Sequence, residues 1–251
     1  MRFHTFGNAE NKIIVLIHGV LTPWQIWESQ IEYFKENYFV IVPALDAHVE
    51  ENASEYLSVE EEAKEIENYI CTNYGNQVFA LCGLSMGGYI ANRIFERGKL
   101  DIENLVLDGA PLVKIPSLFT NIMINQYKTI IHKSKQRDKK VLESFKKNFL
   151  PEKFLQSYLK FADTMSDSSI QNMIYSVCNG KINANTNSKR TKILFLHGTK
   201  GNEIYSKKAA KQMKAYYPDL EIRCFKGYMH AQLAIYEADK WSRVVDSFLQ
   251  S

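Results

Sequence analysis

The chain has 251 residues, 45% of them hydrophobic and 24% charged, which suits one large α/β domain or two small ones around an apolar core. Its net charge of +3 is too small to argue by itself for a nucleic-acid partner. The opening MRFHTFGNAENK lacks the apolar stretch of a standard secretory signal, and no run approaches the roughly 20 apolar residues of a membrane span.

The first strong apolar run is KIIVLIHG (12–19), which leads into the loop His18-Gly19-Val20-Leu21-Thr22-Pro23. Residues 24–36 then place Trp24, Trp27, Ile31 and Phe34 at helical spacing. YFVIVPAL (38–45) follows, and its loop carries Asp46 and His48, which we read as structural. Residues 57–74 form a second helical pattern, with Val59, Ala63, Ile66, Tyr69 and Ile70 on one face and acids on the other. QVFALCG (77–83) runs into Gly83-Leu84-Ser85-Met86-Gly87 and a helical segment at 86–97. ENLVLDGA (103–110) and LEIRCFKG (220–227) are weaker strand signals, KILFLHG (192–198) a strong one, and 204–217 and 235–250 are helical. Continuous apolar runs of this length point to strands covered on both faces, hence to a parallel sheet. Their alternation with helices predicts a mostly parallel, doubly wound α/β sheet with binding at the carboxyl ends of its strands.

Residues 112–188 interrupt the alternation. They contain no convincing strand, and KKVLESFKKNFL, EKFLQSYLKFADTM and IQNMIYSVC read as helices. The stretch is too long for a crossover, so we expect a helical cap inserted into a core made of residues 1–111 and 189–251. Residues 112–190 hold 14 Lys/Arg and 5 Asp/Glu, a net of +9, against −6 for the rest of the chain. NGKINANTNSKR (179–190) is expected to be mobile. The cysteines Cys71, Cys82, Cys178 and Cys224 are far apart without a CxxC pair, two of them in apparent core strands; we expect reduced thiols and a cytoplasmic protein.

A serine at a tight strand-to-helix turn, with glycines two residues to either side, projects its hydroxyl alone above the sheet while the next helix points its N-terminus at it. The amide of Met86 can then donate to an oxyanion, and the amide of Val20 is the expected second donor. Ser85 needs a base within hydrogen-bond reach. Of six histidines, His4 lies on an apparent edge segment, His132 in the basic insertion, and His18 and His197 at strand ends before glycine, where bracing a loop is expected. His230, in FKGYMHAQ between the last strand and the last helix, is the expected base.

HGV after the first strong strand, GLSMGG at the turn, a helical insertion and the late KGYMH resemble the α/β-hydrolase superfamily over nearly the whole chain, and more narrowly its small esterase, lipase and lactonase branch. The resemblance implies a Ser–acid–His triad in that chain order, without metal or organic cofactor. Ser85 and His230 map directly. The acid departs from the family's HGxxDxxVP pattern: Gly201 stands where aspartate is expected, and Glu203 follows two residues later. Glu203 is the expected acid; Asp108, in LVLDGAP, is the alternative, and a site without an effective acid a third. The implied substrate is a small-molecule carboxylic ester of short or medium chain, a monoacylglycerol or a lysophospholipid, with Leu21, Leu112 and Met123 lining its pocket. A C–C bond hydrolase uses the same residues, and a non-catalytic ligand-binding or signalling protein on this scaffold is the rival class. No nucleic-acid partner and no membrane insertion are expected; the basic cap is compatible with peripheral contact to anionic lipid.

Overall fold

The structure, a computed structural model, describes residues 1–50, 54–183 and 190–251. Strands β1 (Arg2–Phe6), β2 (Ile13–Ile17), β3 (Phe39–Ala44), β4 (Gln77–Leu84), β5 (Asp101–Asp108), β6 (Lys192–His197) and β7 (Glu221–Cys224) form one sheet in the order β1-β3-β2-β4-β5-β6-β7. Only the β1–β3 pair is antiparallel. Every residue of β2 and β3 is buried, which is why their sequences are uninterrupted apolar runs. The half-exposed edge strand β1, RFHTF, carries no such run and is legible in the sequence only as the edge segment holding His4. β7 is the opposite edge, so Cys224 is exposed there instead of lying in the core; all four cysteines are free.

The flanking helices are α1 (Glu28–Phe34), α2 (Val59–Tyr74), α3 (Met86–Arg97), α4 (Ser117–Lys135), α5 (Lys139–Asn148), α6 (Leu155–Thr164), α7 (Asp167–Cys178), α8 (Glu203–Tyr216), α9 (Gln232–Tyr236) and α10 (Ala238–Leu249). Ser58 starts α2 by accepting the Glu61 amide at 3.2 Å. Two expected helices are each divided. Residues 24–36 begin as a 3-10 turn, Trp24–Trp27, before α1. Residues 235–250 break at Glu237, whose φ of −124° and ψ of 46° separate α9 from α10.

Helices α4–α7 fill the span between β5 and β6. The sequence marks α5, α6 and α7, whereas α4 is not marked there as a helix. An antiparallel bridge between Lys114 and Asn179 pins the two ends of this insertion together, and the Ile115 amide donates to the Cys178 carbonyl at 2.7 Å. α4 packs on α6 and α7, and α7 on α3. Tyr158 stacks on Phe145 at 4.2 Å, and the buried side chains of insertion and sheet form one continuous cluster. The expected core boundary at 188/189 and half of the stretch expected to be mobile lie outside the described residues. Among the described residues no helix is long and apolar enough to cross a membrane.

Candidate active site

The strand order reverses at β2, which has β3 on one side and β4 on the other, so the loops leaving β2 and β4 face each other across a crevice. Ser85 occupies the single position between β4 and α3, with φ 56° and ψ −116°. A non-glycine residue in this region costs about 1–3 kcal/mol and is held only by its surroundings. Those surroundings explain the two glycines. A Cβ on Gly83 would lie 2.2 Å from the Gly87 carbonyl oxygen, and one on Gly87 would lie 2.2 Å from that of Ile17. Strand, turn and helix thus pack backbone to backbone, and the Ser85 amide is tied to the Asp108 carbonyl at 2.8 Å.

The loop between β7 and α9 brings His230 to the serine: His230 Nε2 lies 2.9 Å from Ser85 Oγ. On its other side His230 Nδ1 lies 2.5 Å from Glu203 Oε1. An ionised Glu203 accepts the Nδ1–H, which leaves Nε2 as the acceptor for the serine hydroxyl. Glu203 is the first residue of α8 and is 1% exposed. Its second oxygen accepts the Gly198 amide at 2.7 Å. Burial pushes its carboxyl upward, but the hydrogen bond and charge of His230, with the Gly198 amide, outweigh this and hold it below its ordinary value. The two-residue displacement from Gly201 is made up by the loop turning through Gly201, at φ 63°, and by the longer glutamate side chain.

Asp108 makes no hydrogen bond to the histidine ring. Its Oδ2 accepts the Trp241 indole N–H at 3.0 Å. Burial, then the charge of Glu203, pushes its carboxyl up to about 7. The next residue, Gly109, is one whose importance the sequence does not disclose. At φ 61° it passes so close to His230 that a Cβ would lie 2.8 Å from Cε1. Because the folded state holds the Asp108 proton up to about 7 and the unfolded chain releases it near 4, this residue's contribution is present at acid pH and is lost as pH rises through that window. Asp108→Asn keeps an acceptor for Trp241 without the charge. The variant is expected to match the wild type near pH 4 and to exceed it at pH 8 by on the order of 3 kcal/mol, read as a higher Tm. An unchanged pH dependence of the Tm difference contradicts it.

On the other side of Ser85, the loop after β2 places Gly19 so near that a Cβ there would lie 3.2 Å from the Ser85 Cβ. Two buried histidines lace this loop to the one after β3. His18 Nε2 accepts the Leu45 amide at 3.1 Å while its Nδ1 lies 2.9 Å from the Gly19 carbonyl. Reciprocally, His48 Nε2 accepts the Leu21 amide at 3.1 Å while its Nδ1 lies 3.0 Å from the Asp46 carbonyl. Both rings are therefore neutral acceptors at Nε2; burial holds His18 well below its ordinary value and His48 at about 4. His197 meets the Gly198 carbonyl at 2.6 Å, repeating the His18 arrangement. His48→Ala strands the buried Leu21 amide, with an expected loss of about 1–3 kcal/mol seen as a lower urea midpoint.

The crevice opens into a cavity of about 290 Å³ that reaches from Val20, Ser85 and His230 to Met123, Phe149 and Ile174 of the insertion. Met123 lines it as expected. Leu21 and Leu112 do not: each is 1% exposed and packed in the core. Leu21, at φ 55°, turns its side chain away while Val20 and Thr22 face the cavity, and Pro111 and Ile115 take the place assigned to Leu112. Among the described residues no group of His, Cys, Asp or Glu is arranged to hold a metal ion.

No family model matches the sequence, and no curated protein matches it. Solved structures do. A Desulfitobacterium hafniense protein described as of the alpha/beta hydrolase family superposes with a TM-score of 0.75 at 20% identity, covering 99% of this chain and 100% of that one. A carboxylesterase of Nitrososphaera gargenis gives 0.78 at 14% identity over 99% and 93% of the two chains. The enol-lactonase of Burkholderia xenovorans gives 0.73 at 14% identity over 100% and 96%. What is shared at these identities is the fold, and the chain has the α/β-hydrolase fold along its full length.

Proposed function

We propose that the protein is a serine hydrolase that cleaves a carboxylic ester through an acyl-enzyme on Ser85. The observation that carries this reading is the unbroken hydrogen-bond chain from Ser85 Oγ through His230 to Glu203. Ser85 Oγ attacks the ester carbonyl as His230 Nε2 takes its proton, and Glu203 stabilises the imidazolium through Nδ1–H. The amides of Val20 and Met86 receive the oxyanion; Met86 is the first residue of α3, so its N–H has no acceptor within the helix. The tetrahedral intermediate collapses with loss of the alcohol, which takes the proton from His230. Water, deprotonated by the same ring, then releases the acid and restores Ser85.

The inserted helices act as the cap of this site and supply the apolar wall of its cavity. At about 290 Å³ the cavity is at the small end for ligand sites, which favours a short or medium acyl ester over a long-chain lipid. Solved neighbours that are a carboxylesterase and an enol-lactonase are consistent with this chemistry. The rival reading, a binding protein that has lost turnover, drew on the missing aspartate at Gly201; the carboxylate of Glu203 against His230 favours turnover instead. A fluorophosphonate probe followed by intact-mass measurement and peptide mapping tests the proposal. Rapid addition of one adduct at Ser85 is expected. A folded protein that takes no label is not a serine hydrolase.

A further inference from the structure

The cavity wall contributed by the insertion is apolar, formed by Ile115, Met123, Phe149, Ile174 and Val177. Two residues in it carry polar heads: Asn148, whose amide already donates to the Ser144 carbonyl at 3.0 Å, and Tyr127, on α4 one helical turn beyond Met123. Its ring packs against the core, and burial raises its phenol, with Cys178 close enough to add to the effect. Among the described residues no hydrogen bond engages its hydroxyl. Its neighbours in the insertion are handled differently. Tyr158, fully buried, donates to Ser134 Oγ at 2.9 Å, and where a plain apolar ring suffices the chain uses Phe145, Phe154 and Phe161. A hydroxyl that faces the cavity from an otherwise apolar wall, with no protein partner, is left open to bond a ligand.

The direction in which a substrate lies follows from the proposed chemistry, on which this inference rests. The leaving alcohol must sit on the His230 side, where its proton comes from and where Met229 is 56% exposed. The acyl chain then extends the other way, between α4 and α7. We propose that Tyr127 is a specificity residue whose hydroxyl bonds an oxygen on the acyl chain, and that the preferred substrates are esters of oxo- or hydroxy-substituted acids. A site built around such a bond discriminates against the analogue that lacks the partner.

The test uses p-nitrophenyl hexanoate beside the 4-oxo, 5-oxo and 6-hydroxy hexanoates, with wild type and Tyr127→Phe, a change that keeps the ring and its packing. The expected result is a loss of about tenfold in kcat/KM on the best oxygenated ester and under about twofold on hexanoate. Serine-dependent turnover that Tyr127→Phe changes equally, or leaves alone, on all four esters overturns the inference and spares the hydrolase reading. The free acids are titrated calorimetrically into Ser85→Ala with and without Tyr127→Phe. About tenfold weaker binding of the oxygenated acid alone supports the inference even where wild type shows no turnover, an outcome that removes only the hydrolase reading. Equal binding of plain and oxygenated acids in both backgrounds overturns the inference.

Discussion

Ser85→Ala is expected to lower kcat/KM on p-nitrophenyl esters by roughly a million-fold, and His230→Ala by as much. The size follows from the single hydrogen-bonded pair of Ser85 Oγ and His230 Nε2 at 2.9 Å, since neither group has a chemical role without the other. For the same reason the double variant is expected to be no worse than either single one. With the Val20 and Met86 amides acting as the proposed oxyanion donors, a residual rate of about 10³–10⁴ over water should survive. Ser85→Ala removes one oxygen from a turn whose shape is set by Gly83 and Gly87, so the fold should be retained. Steady-state kinetics on protein purified free of contaminating esterase measures the effect. A variant within tenfold of wild type would sink the acyl-enzyme mechanism.

Glu203→Gln is expected to cost about 10³–10⁴ in kcat while Asp108→Asn stays within about threefold of wild type. The glutamine has nearly the same shape but only one acceptor oxygen. In the wild type Oε1 meets His230 Nδ1–H, with the Ser206 hydroxyl at 3.5 Å, and Oε2 accepts the Gly198 amide. If the amide oxygen keeps Gly198, the NH₂ faces His230 and favours the tautomer with its proton on Nε2, which cannot accept from Ser85. Asp108 bonds Trp241 and not His230, so its amide should leave the ring undisturbed. The reverse ranking, with Asp108→Asn inactive and Glu203→Gln active, would transfer the acid's role to Asp108.

The legibility of this fold varied with burial. β2, β3, β4 and β6 could be read because strands buried on both faces admit only apolar residues. β1 and β7 lie at the edges, where one side faces water and RFHTF or EIRC is acceptable. The break at Glu237 and the 3-10 start at Trp24 are responses to packing that helical periodicity does not record.

By itself the sequence determined the alternation of the buried strands with helices, the elbow at Ser85 and the late histidine. Each depends on local constraints: apolar runs, glycines where backbones touch, and a histidine on a loop before the last helix. The tertiary structure alone shows that Glu203 and not Asp108 bonds the His230 ring, because two carboxylates some hundred residues apart converge near it and only loop path and side-chain length determine which meets it. It likewise decided that Val20 faces the cavity while Leu21 enters the core, since a positive φ turns neighbouring side chains to opposite sides. The placement of Tyr127 belongs with these, because a tyrosine in an amphipathic helix looks the same whether its hydroxyl meets protein, water or a cavity awaiting substrate.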